Sequence, residues 1–494
     1  MKKKLSWSIY VVLLNAFFLL LLLDAFSQAP FSEQSTNIYS QRELFLDYFL
    51  IEKMIDTQLI LHQPRDEGIV LKFDNPWEGP FCGYCTVIFD GEKYRLYYRG
   101  LPEAGQDGST NETTCYAESK DGIHWIKPAL DLFEVNGNSK NNVILADASP
   151  VTHNFSPFLD KNPKANPDQK YKALGGTEKS GLIAYVSADG IHWQKLQDAP
   201  VFKKGKFDSQ NVSFWSESEN CYLCYFRSWS GVGYHGYRTV SRTTSSDFLN
   251  WSEPENMTFG DRPLEHLYTN QTHPYFRAPH IYMAIAARFM PNRKVVSDEQ
   301  AKQLYVNPNY YNDCSDAVLM TSRGGSIYDR TFMESFIRPG IGLQNWVSRS
   351  NYPALNVVQT SPTEMSIYVN QAYAQPTAHL RRYSLRLDGF ASVHADYSGG
   401  EMITKPFNFT GNQLLVNFAT SAAGEIRIEV HDKAGNPIAD YSAADCFPLI
   451  GNEIERAVAW CKGTDVSELS GKIVRLRFVM KDADLFSMKF ESLF

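Results

Sequence analysis

The sequence predicts an all-β protein, a five-bladed β-propeller followed by a C-terminal β-sandwich, and three observations predict it. A turn motif, Ser119-Lys120-Asp121-Gly122-Ile123-His124-Trp125, recurs as Ser187-Ala188-Asp189-Gly190-Ile191-His192-Trp193. Short aromatic-rich runs bounded by turn residues fill the chain around both copies and well beyond them. From about Asp396 the pattern changes to longer runs of strict apolar–polar alternation. Asp-Gly between extended segments marks a hairpin, because Gly takes φ > 0 without a Cβ penalty. The Trp that follows is large enough to fill the gap between one small sheet and the next. Recurrence at a fixed structural place marks a repeat architecture, in which each unit buries its faces against its neighbours.

Composition agrees with this. The chain has 494 residues, 14% aromatic and 21% charged, with net charge −7. That length suits two or three domains. With a pI of about 5.9 and no basic block, nucleic acid is not an expected partner. Lys2-Lys3-Lys4, an apolar run from Leu5 to Leu23, and Ala25-Phe26-Ser27 read as a signal peptide over residues 1–27, cleaved before Gln28. The body is then exported, periplasmic or secreted, with no stable membrane partner. The alternative is an uncleaved anchor, since the run is long enough to span a bilayer.

Eight cysteines are present. Cys221-Tyr-Leu-Cys224 lies in a strand pattern where i and i+3 face opposite sides, and Cys82-Gly-Tyr-Cys85 lacks a partner pair at zinc spacing. No metal site is expected. In an exported protein Cys446 and Cys461 are candidates for a disulfide, and the others for buried thiols.

In order, residues 41–63 predict two short strands on the edge of a propeller spanning residues 28–395. Unit one holds Thr86–Phe89, Tyr94–Arg99 and Cys115–Glu118, and closes on Trp125. Unit two runs from His153 to Trp193. Unit three starts at Asp208 and ends on a degenerate motif, Ser245-Ser246-Asp247-Phe248-Leu249-Asn250-Trp251. Unit four begins near Tyr268 and contains an insertion, Pro291 to Asp316, read as a loop over one face. Unit five runs from Asn351 to Asp388-Gly389-Phe390. Residues 396–494 predict the sandwich, from alternations such as Ile426/Ile428/Val430 and Val474/Leu476/Phe478. Two β-sandwiches in place of the propeller are the alternative fold.

In a propeller the innermost strands converge on a funnel, so residues where those strands begin face one another. The candidates there are Asp74 and Glu78 with Trp77 beside them, His153 and Asn154, Asp208 and Asn211, then Glu265, Asn270, Arg277 and His280. Acids beside aromatics suit glycoside cleavage, which pairs a protonated carboxyl with an ionised one.

The signal peptide, the five units with their Ser-x-Asp-Gly-x-x-Trp closings and the trailing sandwich resemble the five-bladed propeller glycoside hydrolases of families 32 and 43. The layout is closer to family 32. The resemblance implies a catalytic triad of acids: Glu78 (or Asp74) as nucleophile or base, Asp208 as orienting acid and Glu265 as proton donor. It implies a carbohydrate substrate and no cofactor, with a Ca²⁺ ion in the hub left open. The chain departs from family 32 at the acid motifs: Asp74-Asn75-Pro76-Trp77-Glu78-Gly79 replaces Asn-Asp-Pro-Asn-Gly, and Arg-Asp-Pro and Glu-Cys-Pro are absent. A non-catalytic carbohydrate-binding propeller is the competing reading.

Overall fold

The computed structural model describes residues 35–492, so the expected signal peptide lies outside the described residues. Its first strands are β1 (Thr36–Tyr39), β2 (Glu43–Leu44), β3 (Ile51–Ile55) and β4 (Thr57–Leu61). Residues 41–63, expected at the propeller's edge, instead pair with the far end of the chain. There β26 (Ala391–Ala395) receives β4, β27 (Gly400–Thr404) receives β3, and β31 (Val474–Glu491) receives β2. The reason is burial. Phe45, Leu50 and Ile51 complete the C-terminal core beside Val393, Met402 and Phe478, while Leu44 and Leu46 pack against the propeller.

The next strand, β5 (Arg65–Lys72), closes the ring. It pairs antiparallel with β25 (His379–Arg386) and so supplies the outermost strand of blade five from a position before blade one. Blade one is β6 (Gly83–Phe89), β7 (Tyr94–Gly100), β8 (Thr113–Ser119) and β9 (Val143–Leu145). Blade two is β10 (Ser156–Leu159), β11 (Tyr171–Thr177), β12 (Gly181–Ser187) and β13 (Gln194–Lys195). Blade three is β14 (Val212–Ser216), β15 (Cys221–Trp229), β16 (Arg238–Ser245) and β17 (Glu255–Asn256). In blade four, β18 (Leu267–Thr269) and β19 (Thr272–Tyr275) pair in succession along one edge of β20 (Ala278–Met290), whose other edge pairs with β21 (Cys314–Ser322). Blade five adds β22 (Tyr352–Pro353), β23 (Val358–Gln359) and β24 (Glu364–Gln371) ahead of β25. These strands are nearly wholly buried because each sheet has another sheet on both faces.

The repeated motif locks blade to blade. Ser119 Oγ accepts from Gly122 N (2.9 Å), and Asp121 Oδ1 accepts from the N–H groups of Ile123 and His124 (2.8 Å each). Asp189 and Asp247 repeat this arrangement, with Asn250 taking the place of the histidine. The Gly carbonyl then accepts a neighbouring blade's phenol: Tyr368 of blade five donates to Gly122 O (2.5 Å), and Tyr97 of blade one to Gly190 O (3.0 Å). Trp125 packs on Tyr368 and Trp193 on Tyr97, edge to face. The copy in blade five differs. Asp388 itself takes the positive φ, is fully buried, and accepts from Tyr275 of blade four (2.8 Å) and Ser487 of the C-terminal sheet (2.7 Å). It fastens the sandwich to the propeller.

The C-terminal sheet has ten strands, among them β28 (Phe407–Phe409), β29 (Gln413–Asp432) and β30 (Asn452–Ala457). A register break between Thr420 and Glu425 lets both halves of β29 send alternate residues into one core with Trp460 and Phe478. Cys446 and Cys461 remain free thiols. Cys446 is paired opposite Trp460, so Cys461, the next residue, points to the other face: one thiol is buried and the other exposed.

At the propeller axis two buried amides bridge all five blades. Gln210 Nε2 donates to Thr86 Oγ1 (2.8 Å) and reaches Ser156 Oγ (3.4 Å). Gln271 Nε2 donates to Gln210 Oε1 (2.8 Å) and to Pro353 O (2.7 Å). These amides close the channel. The Ca²⁺ left open for the hub would need six to eight oxygens, and among the described residues no group of three or more His, Cys, Asp or Glu side chains is placed to hold a metal ion.

Candidate functional site at the funnel face

Above the glutamine plug, residues from the inner ends of the blades form one connected, largely buried polar cluster that reaches solvent through Tyr84, Asp208, Tyr310 and Arg349. Tyr84 starts blade one and donates its phenol to Asp208 O (3.2 Å). Arg99, at the end of β7, stacks 4.8 Å from the Tyr84 ring, donates to Phe81 O (3.0 Å) and meets Tyr373 Oη (3.1 Å). His153 sits beside it, with Nδ1 2.8 Å from Glu112 and Nε2 3.8 Å from Asp107. Across the funnel Asp208 is ion-paired with Arg227, which in turn lies 4.8 Å over Tyr268. Arg349 lies 5.6 Å from the same ring, and Tyr352 packs against it at a tilt (centroids 5.1 Å apart).

Three insertions build the walls. The loop between β7 and β8 brings Asp107 and Glu112, and the one between β15 and β16 brings Tyr234. The blade-four insertion contains a helix, α1 (Asp298–Gln303), started by a Ser297–Gln300 capping box. It crosses the funnel face: Asn307 N donates to Ala374 O (3.0 Å), and Tyr310 packs on Phe81 and Tyr373. It ends on Asp313.

The electrostatics separate the acids. Burial pushes the Asp313 carboxyl up, only partly opposed by Ser348, Arg349 and Arg238. Asp208 has the Arg227 guanidinium against one oxygen, while its Oδ1 is buried and unpartnered. Burial opposes ionisation of the Tyr268 phenol, yet Arg349 and Arg227 together bring it below the usual tyrosine range.

The structure brings only part of the sequence-derived set to this face. Asp208 and His153 are there. Asn154 is buried beneath it, joining blades two and three through Gly176 and Ser209 (2.9 Å each). Asn211 donates to Phe207 O (3.2 Å), and Asn270 caps its own turn at Thr272. Glu78 is fully buried off the axis, bound by Lys127 (2.7 Å) and Tyr98 (2.5 Å), with exposed Asp74 on the same lysine (3.1 Å) and Trp77 fixed to Asn142 (2.7 Å). Glu265 is clamped between Arg288 (2.8 Å) and Arg330 (2.7 Å) outside the funnel. Arg277 and His280 follow the end of β19, a strand's length from the face, and bind Asp388 (3.2 Å) and Glu43 (2.9 Å) at the junction with the C-terminal sheet.

Arg99, Arg227, Arg349, Tyr84, Tyr268 and Asp313 were not singled out from the sequence. One signal pointed to two of them: Tyr97-Tyr98-Arg99 and Tyr225-Phe226-Arg227 end the second strands of blades one and three in the same way.

No family profile and no curated protein matches this chain. Among solved structures it is similar to a family 32 β-fructofuranosidase of Bombyx mori, at 10% identity over 86% of this chain and 95% of that one, with a TM-score of 0.41. It is also similar to a β-1,2-mannobiose phosphorylase of Listeria innocua, at 11% identity over 71% and 98%, with a TM-score of 0.40. An N-acetylgalactosamine deacetylase of F. plautii, solved with blood group B trisaccharide, aligns at 12% identity over 68% and 97%, with a TM-score of 0.42.

Proposed function

We propose that this protein is an exported glycoside hydrolase that cleaves an oligo- or polysaccharide at the funnel face. One observation carries the reading: two carboxyls in different environments, Asp208 against Arg227 and Asp313 raised by burial, share a face with the partly exposed rings of Tyr84 and Tyr310. Flat aromatic rings accept sugar faces, and a pair of carboxyls in different environments is what glycosidic cleavage requires. In this reading Asp313 protonates the leaving oxygen and Asp208 is the nucleophile or base. Export rests on the Lys2-to-Ser27 signal pattern.

A glycan-panel assay of the purified protein beside Asp208→Asn and Asp313→Asn tests this. Turnover should fall by about 10²–10⁴-fold in each, the usual worth of one acid or base group. Unchanged turnover in both variants would sink the assignment. Binding without turnover in the parent protein would favour the non-catalytic carbohydrate-binding alternative. Retained turnover in Asp208→Asn with loss in Tyr268→Phe would move the nucleophile to the phenol, a role tyrosine fills in some glycosidases.

A further inference from the structure

The funnel face carries more positive charge than its carboxylates pair. Arg227 has Asp208, and Arg99 has Glu112 at 4.0 Å. Among the described residues Arg238 and Arg349 have no carboxylate within ion-pair distance. They are held by rings instead. Arg349 lies 5.1 Å from Tyr310, 5.6 Å from Tyr268 and 5.9 Å from Tyr373. Arg238 lies 4.6 Å from Trp229 and 4.8 Å from Phe289. An aromatic face attracts a guanidinium but accepts none of its in-plane N–H bonds, so those edges stay available. Arg238 Nε and the Nε and Nη1 of Arg227 are buried without a hydrogen-bond partner, an arrangement that calls for an acceptor from outside the chain. Burial, and after it the neighbouring Arg227 charge, also hold the Arg238 guanidinium below its usual range. The remaining acids facing the cluster are Asp107, half-exposed beside His153, and Asp313.

We propose that the sugar bound at this face carries an oxyanion, the carboxylate of a hexuronate or a sulfate ester, and that Arg349 and Arg238 receive it. The planar fork of arginine matches such groups with two parallel hydrogen bonds, and a neutral hydroxyl would leave both guanidinium groups without an ionic partner. What happens to the sugar afterwards rests on the hydrolase reading; its recognition does not.

The test is calorimetric binding of the full-length protein to an oligogalacturonate and to a sulfated galacto-oligosaccharide, each beside its carboxyl-reduced or desulfated form. One acidic probe should bind at least about tenfold more tightly than its neutral form, as charge-assisted hydrogen bonds do. Which one does so identifies the anion. Arg349→Gln and Arg238→Gln should each erase most of that preference, while Arg349→Lys keeps the charge and recovers part of it. The proposal is overturned if neither acidic probe binds, if the neutral forms bind equally, or if the preference survives in both Gln variants. The comparison within the parent protein stands even if a variant misfolds. Acid-dependent binding without cleavage would remove the hydrolase reading alone, and cleavage of neutral glycans without acid preference would remove this one alone.

Discussion

Replacing Gly190 by Ala should loosen the seam between blades one and two. Gly190 holds φ = +75°, and a Cβ there would stand 2.6 Å from the Tyr97 hydroxyl. That hydroxyl is buried and donates to Gly190 O. Three costs combine: roughly 1 kcal/mol for Ala in the left-handed region, about 1–3 kcal/mol for overpacking, and about 1 kcal/mol for the strained or lost hydrogen bond. The variant should therefore lose about 3–5 kcal/mol. Tyr97→Phe alone should lose about 1 kcal/mol, the hydrogen bond only. In the Gly190→Ala background the same change removes the colliding oxygen and should be neutral or stabilising. Urea unfolding of the four proteins, followed by tryptophan fluorescence, should give a coupling of about 1–3 kcal/mol. Additive losses would refute the argument that the motif acts as a blade-to-blade latch. The third copy shows that the turn alone does not demand glycine: Phe248 sits there at φ = +67°, fully buried against Phe158 and Trp251.

Three further outcomes are expected. Buried His273 donates to Gln271 O and accepts from Val357 N, and burial lowers its pKa to about 4 from the ordinary 6.5. Above pH 6.5 it is neutral in both states; as pH falls from 6.5 to 4 the unfolded chain gains a proton that the folded chain refuses. Stability should drop by about 3 kcal/mol across that window, and His273→Gln should flatten the acid limb of stability measured by urea unfolding. Asp388→Ala strips buried Arg42 and Arg277 of a shared carboxylate at the propeller–sandwich junction, leaving both on Glu455. It should cost about 3–5 kcal/mol in thermal or urea unfolding, and an unchanged midpoint would contradict that role. Gln271→Ala deprives Gln210 Oε1 and Pro353 O of their donor at the hub and should cost about 1–3 kcal/mol, where a silent substitution would mean the plug contributes nothing.

The blades were legible because their information is local. Alternating aromatics, Asp-Gly turns and the Ser-x-Asp-Gly-x-x-Trp motif act over a few residues, so the first three units and the change of pattern near residue 396 could be read directly. The ring closure was not legible, because β5 meets β25 across some three hundred residues and nothing within Arg65–Lys72 names its partner. The place of residues 41–63 is hidden for the same reason: their apolar face is visible, but which core it enters depends on β26, β27 and β31.

The candidate site divides in the same way. Asp208 and His153 stand out in sequence as polar residues where inner strands begin. Glu78 and Glu265 stand out equally, and only the tertiary packing commits them to Lys127, Arg288 and Arg330. Arg227, Arg349, Tyr268 and Asp313 come from three blades and an insertion, and none is unusual in its own segment. By itself the sequence determined the repeating unit, the number of blades and the all-β class, since each follows from periodicity and turn chemistry. The tertiary structure decided which acids face the funnel, what seals the axis and where four arginines converge. Those are matters of distance between residues remote along the chain, and side-chain charge acts through space.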